Sequence, residues 1–193
     1  SAIRLTEAQI LAYLAGIRVA KREILIANAY FFPGIRFRHA LLDAARRGVA
    51  VTLLLQAKVE YPLLHLASRA LYGQFVGAGI AIQEYHRSFL HAKVAVIDDR
   101  WATVGSSNID PYSLLMAREA NVFVRDANFA DALRAELVAM IGDGARPVDP
   151  ERWLGRSLLS KAMNWIAYGI VRAGMGLLGY GGNEWWGGRP RKR

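Results

Sequence analysis

The sequence has 193 residues, 53% of them hydrophobic, and contains no cysteine. The apolar content excludes a disordered chain, the length suits one domain with a substantial core, and the lack of cysteine excludes disulfides and thiolate metal sites. The net charge of +9 favours an anionic partner, either nucleic acid or an acidic lipid surface.

Helix-like and strand-like patterns alternate along the chain as far as residue 141. Apolar residues at helical spacing predict helices, and short apolar runs between turn signals predict buried strands. The predicted elements are a helix over 7–22, a strand over 23–30, a helix over 36–47, a strand over 49–56, a helix over 61–76, strands over 80–85, 93–97, 101–105 and 121–125, and a helix over 128–141. This order predicts an α/β fold in which a mixed β-sheet carries helices on both faces.

The composition shifts at Gly142-Asp143-Gly144, where two glycines follow a helical pattern. We therefore predict a half-domain over 1–142 and a C-terminal segment over 143–193, which begins with a proline-containing link over 146–150. The chain starts at Ser1 rather than methionine and shows no secretory signal peptide, so we expect it to derive from a longer protein.

The C-terminal segment contains an apolar stretch over 158–178, close to the length of a membrane span. Lys161, Asn164 and Arg172 interrupt this stretch, and charges are costly in hydrocarbon, so an amphipathic helix in the plane of a membrane is favoured over a spanning one. The alternative is a helix that packs on the domain. A basic tail with Trp185-Trp186 follows, which suits the headgroup layer of a membrane.

The densest group of reactive side chains begins at His91. Side chains alternate between the two faces of a strand, so His91 and Lys93 are predicted to share a face. Asp98 has the opposite parity and comes at the strand end. It is therefore predicted to anchor backbone or a basic side chain rather than to touch the same ligand.

A hairpin of the strands over 93–97 and 101–105 brings Ser106 and Asn108 towards His91 and Lys93. Neutral imidazole is a competent nucleophile toward phosphorus, and its cation is an acid near neutral pH. The lysine can neutralise phosphate oxygens, and the amide and hydroxyl can hydrogen-bond in the same site. The group thus predicts phosphate binding and histidine chemistry. No cluster of carboxylates with histidine lies nearby, so neither a metal nor another cofactor is expected.

Six positions match the HKD pattern of the phospholipase D superfamily without a departure, and on them the sequence resembles that superfamily. They are His91, Lys93, Asp98, Gly105, Ser106 and Asn108. Glu119 matches a further acid of the family. The resemblance implies catalytic roles for His91, Lys93, Asp98 and Glu119. It also implies that Glu119 hydrogen-bonds His91, and that transfer proceeds through a phosphohistidine.

Further stretches, over 27–33, 44–49, 101–108 and 110–111, resemble bacterial cardiolipin synthases. The resemblance covers about residues 3–142 and is closest to the carboxy-terminal half of those enzymes. They carry two motifs, and this chain carries one. Because in-line displacement needs a nucleophile and an acid on opposite sides of phosphorus, a missing amino-terminal half or a second copy of the chain must supply the other histidine. By resemblance, His91 protonates the leaving alcohol.

The leading hypothesis is the C-terminal half of a cardiolipin synthase, a phosphatidyltransferase that is peripheral on the cytoplasmic side of the bacterial cell membrane. As an isolated fragment it is expected to be inactive. The partners implied are anionic phospholipid and a second motif, whereas nucleic acid is disfavoured as a partner. One alternative is a metal-independent nuclease acting as a homodimer, which the positive charge also suits. Another is a domain that only binds anionic membranes.

Overall fold

The structure is a computed structural model that describes residues 2–110 and 119–175, with side chains over 9–110 and 119–174. In this part of the chain one mixed sheet has the strand order β6-β5-β4-β1-β2-β3-β7. The strands are β1 (Glu23–Asn28), β2 (Ala50–Gln56), β3 (Ala81–Tyr85), β4 (Lys93–Ile97), β5 (Trp101–Gly105), β6 (Asn121–Val124) and β7 (Ala145–Pro147). The helices are α1 (Ala2–Val19), α2 (Ile35–Arg46), α3 (Pro62–Arg69), α4 (Tyr72–Gly77), α5 (Ala127–Gly144), α6 (Pro150–Leu154) and α7 (Leu158–Met175).

The sheet combines a parallel half with an antiparallel half. β1, β2 and β3 run parallel because a helical segment returns the chain between them, whereas β4, β5 and β6 pair antiparallel. β4 also pairs antiparallel with β1, which places the hairpin of β4 and β5 beside the parallel half. The six predicted strands are confirmed, with those at 93–97 and 101–105 matching at both ends.

Both faces of the sheet are buried, and the alternation along β4 shows how. Ala95 and Ile97 belong to the larger core cluster, which includes buried residues of α1, α2, α3, α4 and α7. Val94 and Val96 point to a second cluster, formed with α5. Helices therefore cover both faces, which confirms the predicted fold class.

Several predicted elements were placed wrongly, among them the first helix, which spans 2–19 rather than 7–22. The helix expected over 61–76 divides into α3 and α4, because α3 packs on α7 while α4 packs on α6 and β3. The helix α5 continues to Gly144, past the expected end at residue 141. Within the expected link over 146–150, the short strand β7 pairs antiparallel with β3, and three residues are too few to form a recognisable strand pattern.

The C-terminal helix α7 has two different apolar faces. Ala167, Tyr168 and Val171 are buried in the larger core cluster, where α7 packs on α3. A second face exposes Leu159, Met163, Ile166 and Ile170, at helical spacing. The first face is what the packed-helix alternative predicts. Among the described residues, no helix has the length and apolar character needed to cross a membrane. Trp185-Trp186 and the basic tail lie outside the described residues.

Candidate active site

The motif residues other than Asp98 lie at one end of the strands of the sheet. The carboxyl end of β1, the amino end of β4 and the carboxyl end of β5 are adjacent there, because β4 is antiparallel to both of its neighbours. The chain after β5 crosses to β1, where Phe31 pairs with Ile109 and the Phe32 amide donates to the Ile109 carbonyl oxygen at 2.8 Å. This crossing places the 105–110 loop over the end of β1.

His91 and Lys93 are in direct contact. The Lys93 Nζ lies 2.6 Å from His91 Nε2 and 3.3 Å from the His91 carbonyl oxygen. An ammonium group can only donate, so a protonated Lys93 requires Nε2 to accept with its lone pair in this contact. Lys93 is buried whereas His91 is exposed, so the cation is fixed beneath a ring that faces solvent.

The charge of Lys93 is set by its surroundings. Burial lowers the pKa of the ammonium group, while the negative charges of Glu119 and Asp110 raise it, with burial the larger effect. A carboxylate within electrostatic range thus partly offsets the cost of burying the cation. Glu119 is therefore close enough to act on Lys93. No hydrogen bond joins its carboxylate to His91 among the described residues, and the orienting role implied by the resemblance remains a prediction.

The 105–110 loop is tied to the start of β6. The Ser106 amide donates to the Ala120 carbonyl oxygen at 3.1 Å, and the Ser106 hydroxyl accepts from the Ala120 amide at 3.2 Å. The Ser107 amide donates to Asn121 Oδ1 at 3.2 Å. The described contacts of Ser106 thus fix the loop, whereas phosphate binding by Ser106 and Asn108 remains a prediction.

Asn28 connects this loop to Lys93. It is the last residue of β1, is fully buried, and lies opposite Lys93 in the register of β1 and β4. Directly opposed residues place their side chains on the same face of a sheet. The Asn28 Oδ1 accepts a hydrogen bond from the Ile109 amide at 3.1 Å. Asn28, which lies beside the buried Lys93, therefore holds Ile109, the residue that follows Asn108.

Asp98 lies at the other end of β4 and does not meet His91 or Lys93. Its carboxylate accepts hydrogen bonds from the backbone amides of Lys21, Arg22 and Glu23, at 2.8–3.3 Å. These bonds connect the turn after β4 to the start of β1. The contacts match the anchoring role predicted from parity, and the catalytic role implied by the resemblance stays a prediction.

We expect Asp98→Asn to destabilise the chain by about 1 kcal/mol at pH 7, because the charged acceptor is lost. Burial raises the pKa of Asp98, but the three backbone hydrogen bonds outweigh it and lower the pKa overall. A lowered folded-state pKa means that this stability is present above the unfolded pKa, and is lost as the pH falls through the folded pKa. The difference between the two proteins should therefore shrink below about pH 4.

Urea unfolding at pH 7 and pH 3 measures this effect. Asp99→Asn is the matched control, because Asp99 pairs with Arg22 at 2.6 Å on the exposed surface. An exposed pair contributes about 0.5 kcal/mol or less. Equal losses in Asp98→Asn and Asp99→Asn would contradict the anchoring role.

Gln9 of α1 is a supporting residue that the sequence analysis missed. It is buried, its Nε2 donates to the Glu119 carbonyl oxygen at 3.2 Å, and its Oε1 accepts from the Ser107 hydroxyl at 3.1 Å. Asn28 and Asn121 were missed in the same way. A polar residue on an otherwise apolar strand or helix face is the one sequence signal that marks Gln9 and Asn28.

We expect Gln9→Ala and Ser107→Ala each to destabilise the chain by about 1–2 kcal/mol, because each leaves a buried polar partner without its hydrogen bond. The two losses should not add. A double-mutant cycle measured by urea unfolding should give a coupling energy of about 1 kcal/mol. Strictly additive losses would show that the Gln9–Ser107 contact does not hold the loop.

Known proteins resemble this chain over most of its length. The family model described as cardiolipin synthase, PLD-like domain, matches residues 13–141. Cardiolipin synthase B of Escherichia coli O6:H1 is 44% identical over 168 residues, covering 87% of this chain and 41% of that protein. Minor cardiolipin synthase ClsB of Bacillus subtilis is 32% identical, covering 76% of this chain and 39% of that protein. The chain thus spans about two fifths of the length of these relatives.

Solved structures share the fold at lower identity. The phospholipase D family member Nuc of Salmonella typhimurium superposes with a TM-score of 0.61 at 21% identity, over 72% of this chain and 90% of that one. Phosphatidylserine synthase of Haemophilus influenzae gives a TM-score of 0.65 at 12% identity, over 89% of this chain and 44% of that one. With the family model covering residues 13–141, the chain belongs to the phospholipase D-like domain family of the cardiolipin synthases.

Proposed function

We propose that this chain is one half of a phosphatidyltransferase that makes cardiolipin from two molecules of phosphatidylglycerol. The 2.6 Å contact between Lys93 Nζ and His91 Nε2 carries the proposal, because it places a fixed cation beside an exposed imidazole at the end of the strands. The cation would neutralise a non-bridging phosphate oxygen while the imidazole donates or accepts a proton. Ser106 and Asn108 would complete the phosphate contacts.

The proposed reaction has two displacements at one phosphorus atom. In the first, a histidine from a second motif forms a P–N bond, the P–O bond to glycerol breaks, and the imidazolium of His91 protonates the departing glycerol. In the second, neutral His91 takes the proton from the hydroxyl of another phosphatidylglycerol. That oxygen attacks phosphorus, and the P–N bond breaks. The neutral form that accepts from Lys93 is the one needed for the second displacement.

The second histidine must come from outside these residues, since one imidazole cannot occupy both sides of a phosphorus atom. We propose that it is supplied by the amino-terminal half of a longer protein or by a second copy of this chain. The coverage of relatives, 41% of cardiolipin synthase B, supports the first source. We call the chain together with its second motif the completed enzyme.

The proposed location is the cytoplasmic face of the bacterial membrane, without a span contributed by the described residues. The net charge of +9 supports contact with anionic lipid. The exposed apolar face of α7 supports insertion into the interfacial layer, since it presents Leu159, Met163, Ile166 and Ile170 on one side of the helix.

The test is to supply the completed enzyme with labelled phosphatidylglycerol and separate the products. We expect cardiolipin and free glycerol, in equal amounts. Phosphatidic acid as the main product would indicate hydrolysis, and would overturn the transfer step. Cleavage of DNA without any lipid product would overturn the proposal in favour of the nuclease alternative.

A further inference from the structure

An open cleft of about 400 Å³ lies at the β7 edge of the sheet, away from the His91–Lys93 pair. Four arginines line it, together with two carboxylates. The arginines are Arg69, Arg146, Arg152 and Arg156. We call this site the arginine cleft. Four strand spacings of about 4.8 Å separate β4 from β7 in the sheet order, which corresponds to about 19 Å.

Both carboxylates of the arginine cleft already have partners. Glu84 pairs with Arg69 at 3.4 Å. The Asp149 carboxylate accepts from the backbone amides of residues 151 and 152, at 2.9 and 3.1 Å. Within the part of the chain that the structure describes, Arg146, Arg152 and Arg156 have no ion pair. Among the described residues, the cleft therefore has an excess of positive charge that no carboxylate neutralises.

Trp153 organises the guanidinium groups. Those of Arg69 and Arg156 lie over its ring, at 4.9 and 4.5 Å from the centroid, and the ring packs on Tyr72 at 5.0 Å. Stacking holds a guanidinium plane in place while its N–H groups remain available at the edge. Planar, pre-positioned guanidinium groups bind the oxygens of a phosphate in pairs.

The surroundings of the arginine cleft distinguish between phosphate ligands. A second hollow shares Arg69, Trp153 and Arg156 with it and extends to Trp165 of α7. Leu154 lines that hollow and is 50% exposed, and Leu158 and Leu159 at the start of α7 are 82% and 74% exposed. Inorganic phosphate gains nothing from exposed apolar side chains, and a nucleic acid backbone offers no acyl chain to cover them. A phospholipid has a phosphate for the arginines and apolar chains for the start of α7.

We propose that the arginine cleft binds the phosphate of an anionic phospholipid headgroup, as a second lipid site separate from the active site. This inference rests on the proposed function in one respect, which is that the ligand is a phospholipid. Such a site would hold the domain on an anionic membrane beside the exposed face of α7. It would also keep a substrate-type lipid near the enzyme.

The test follows the indole N–H resonance of Trp153 in the 193-residue chain by NMR, with Trp153→Phe used for assignment. Dihexanoyl phosphatidylglycerol is added below its micelle concentration, and parallel titrations use inorganic phosphate, dihexanoyl phosphatidylcholine and a short single-stranded DNA. We expect a saturating shift with phosphatidylglycerol and at least tenfold weaker binding in the Arg152→Gln/Arg156→Gln variant. The matched control is Arg18→Gln/Arg125→Gln, which removes the same charge at exposed positions outside the cleft and should change affinity less than twofold.

Four results would overturn the proposal: no shift of the Trp153 resonance, equal weakening in the control, inorganic phosphate binding as tightly as the lipid, or DNA binding more tightly. Thermal unfolding of both double variants checks that these exposed changes leave the fold intact. Because the measurement involves no turnover, its failure leaves phosphatidyl transfer standing. Failure of the transfer assay likewise leaves this binding site standing.

Discussion

Replacing His91 by Asn in the completed enzyme will lower the rate of phosphatidyl transfer by at least about 10³-fold, with little change in stability. Asn preserves a polar group of similar reach but cannot exchange a proton near neutral pH, so both proposed displacements lose their acid or base. The side chain of His91 is exposed, and its contact is with the single Lys93 ammonium group. We therefore expect the free energy of unfolding to change by no more than about 0.5 kcal/mol.

His39→Asn is the matched control for His91. His39 is an exposed histidine on α2, outside the contacts of the 105–110 loop, and its replacement should leave transfer near the wild-type rate. The measurements are product formation from labelled phosphatidylglycerol and urea unfolding of the same preparations. A His91→Asn enzyme with more than a tenth of the wild-type rate would exclude His91 from the chemistry.

The pairing of His91 with Lys93 could be predicted because it depends on local geometry. Strand alternation places two residues i and i+2 on one face, and the hairpin at 93–105 is short enough for its turn to fix the register. The structure confirms both, with Val94 opposite Val104 and Ile97 opposite Trp101. The parity argument also separated Asp98 from the pair, and the described contacts of Asp98 are all with backbone amides at the start of β1.

The supports of the site could not be predicted because they join residues distant in sequence. Gln9 and Ser107 are 98 positions apart, and Asn28 and Ile109 are 81 apart. No pattern within a single helix or strand encodes such a contact. A buried glutamine or asparagine signals that a partner exists, since unpaired buried polar groups are costly, but only the packing of α1 and β1 against the loop identifies it.

The arrangement of the C-terminal segment was difficult to predict for a related reason. The apolar stretch from residue 158 has residues for two faces, one packed on α3 and one exposed. The mean hydropathy of the stretch includes both faces and does not indicate which one packs against the domain. Tyr168 and Val171 show that part of this helix belongs to the core of the domain, while Leu159 and Ile166 remain exposed for another surface.

Gly105→Ala is expected to have the second largest effect, because the motif glycine lies where two backbones come close. A Cβ at this position would lie 2.6 Å from the Ala120 carbonyl oxygen, and closer still to Asn121 Oδ1. Neither atom can move freely. The Ala120 carbonyl accepts from the Ser106 amide, and Asn121 Oδ1 accepts from the Ser107 amide. Relief of the clash must therefore displace the loop that carries Asn108.

We expect Gly105→Ala to destabilise the chain by about 3 kcal/mol, the upper range for an added group that forces backbone shifts. In the completed enzyme, transfer should fall by about 10²-fold, because a displacement near 1 Å of positioning groups has that effect. Urea unfolding and the labelled-lipid assay measure the two quantities. The loss of rate should persist at temperatures well below unfolding, since it arises in the folded state.

Gly142→Ala makes the same chemical change but is expected to stabilise the chain rather than destabilise it. Nothing lies within 4 Å of the added Cβ at this position in α5, so the methyl group meets open space. Alanine is favoured over glycine inside a helix by about 0.5–1 kcal/mol, and this variant should be more stable than the wild type by that amount. If the two alanine variants were equally stable and active, β5 and β6 could not approach as closely as the structure places them. The 105–110 loop would then need another support.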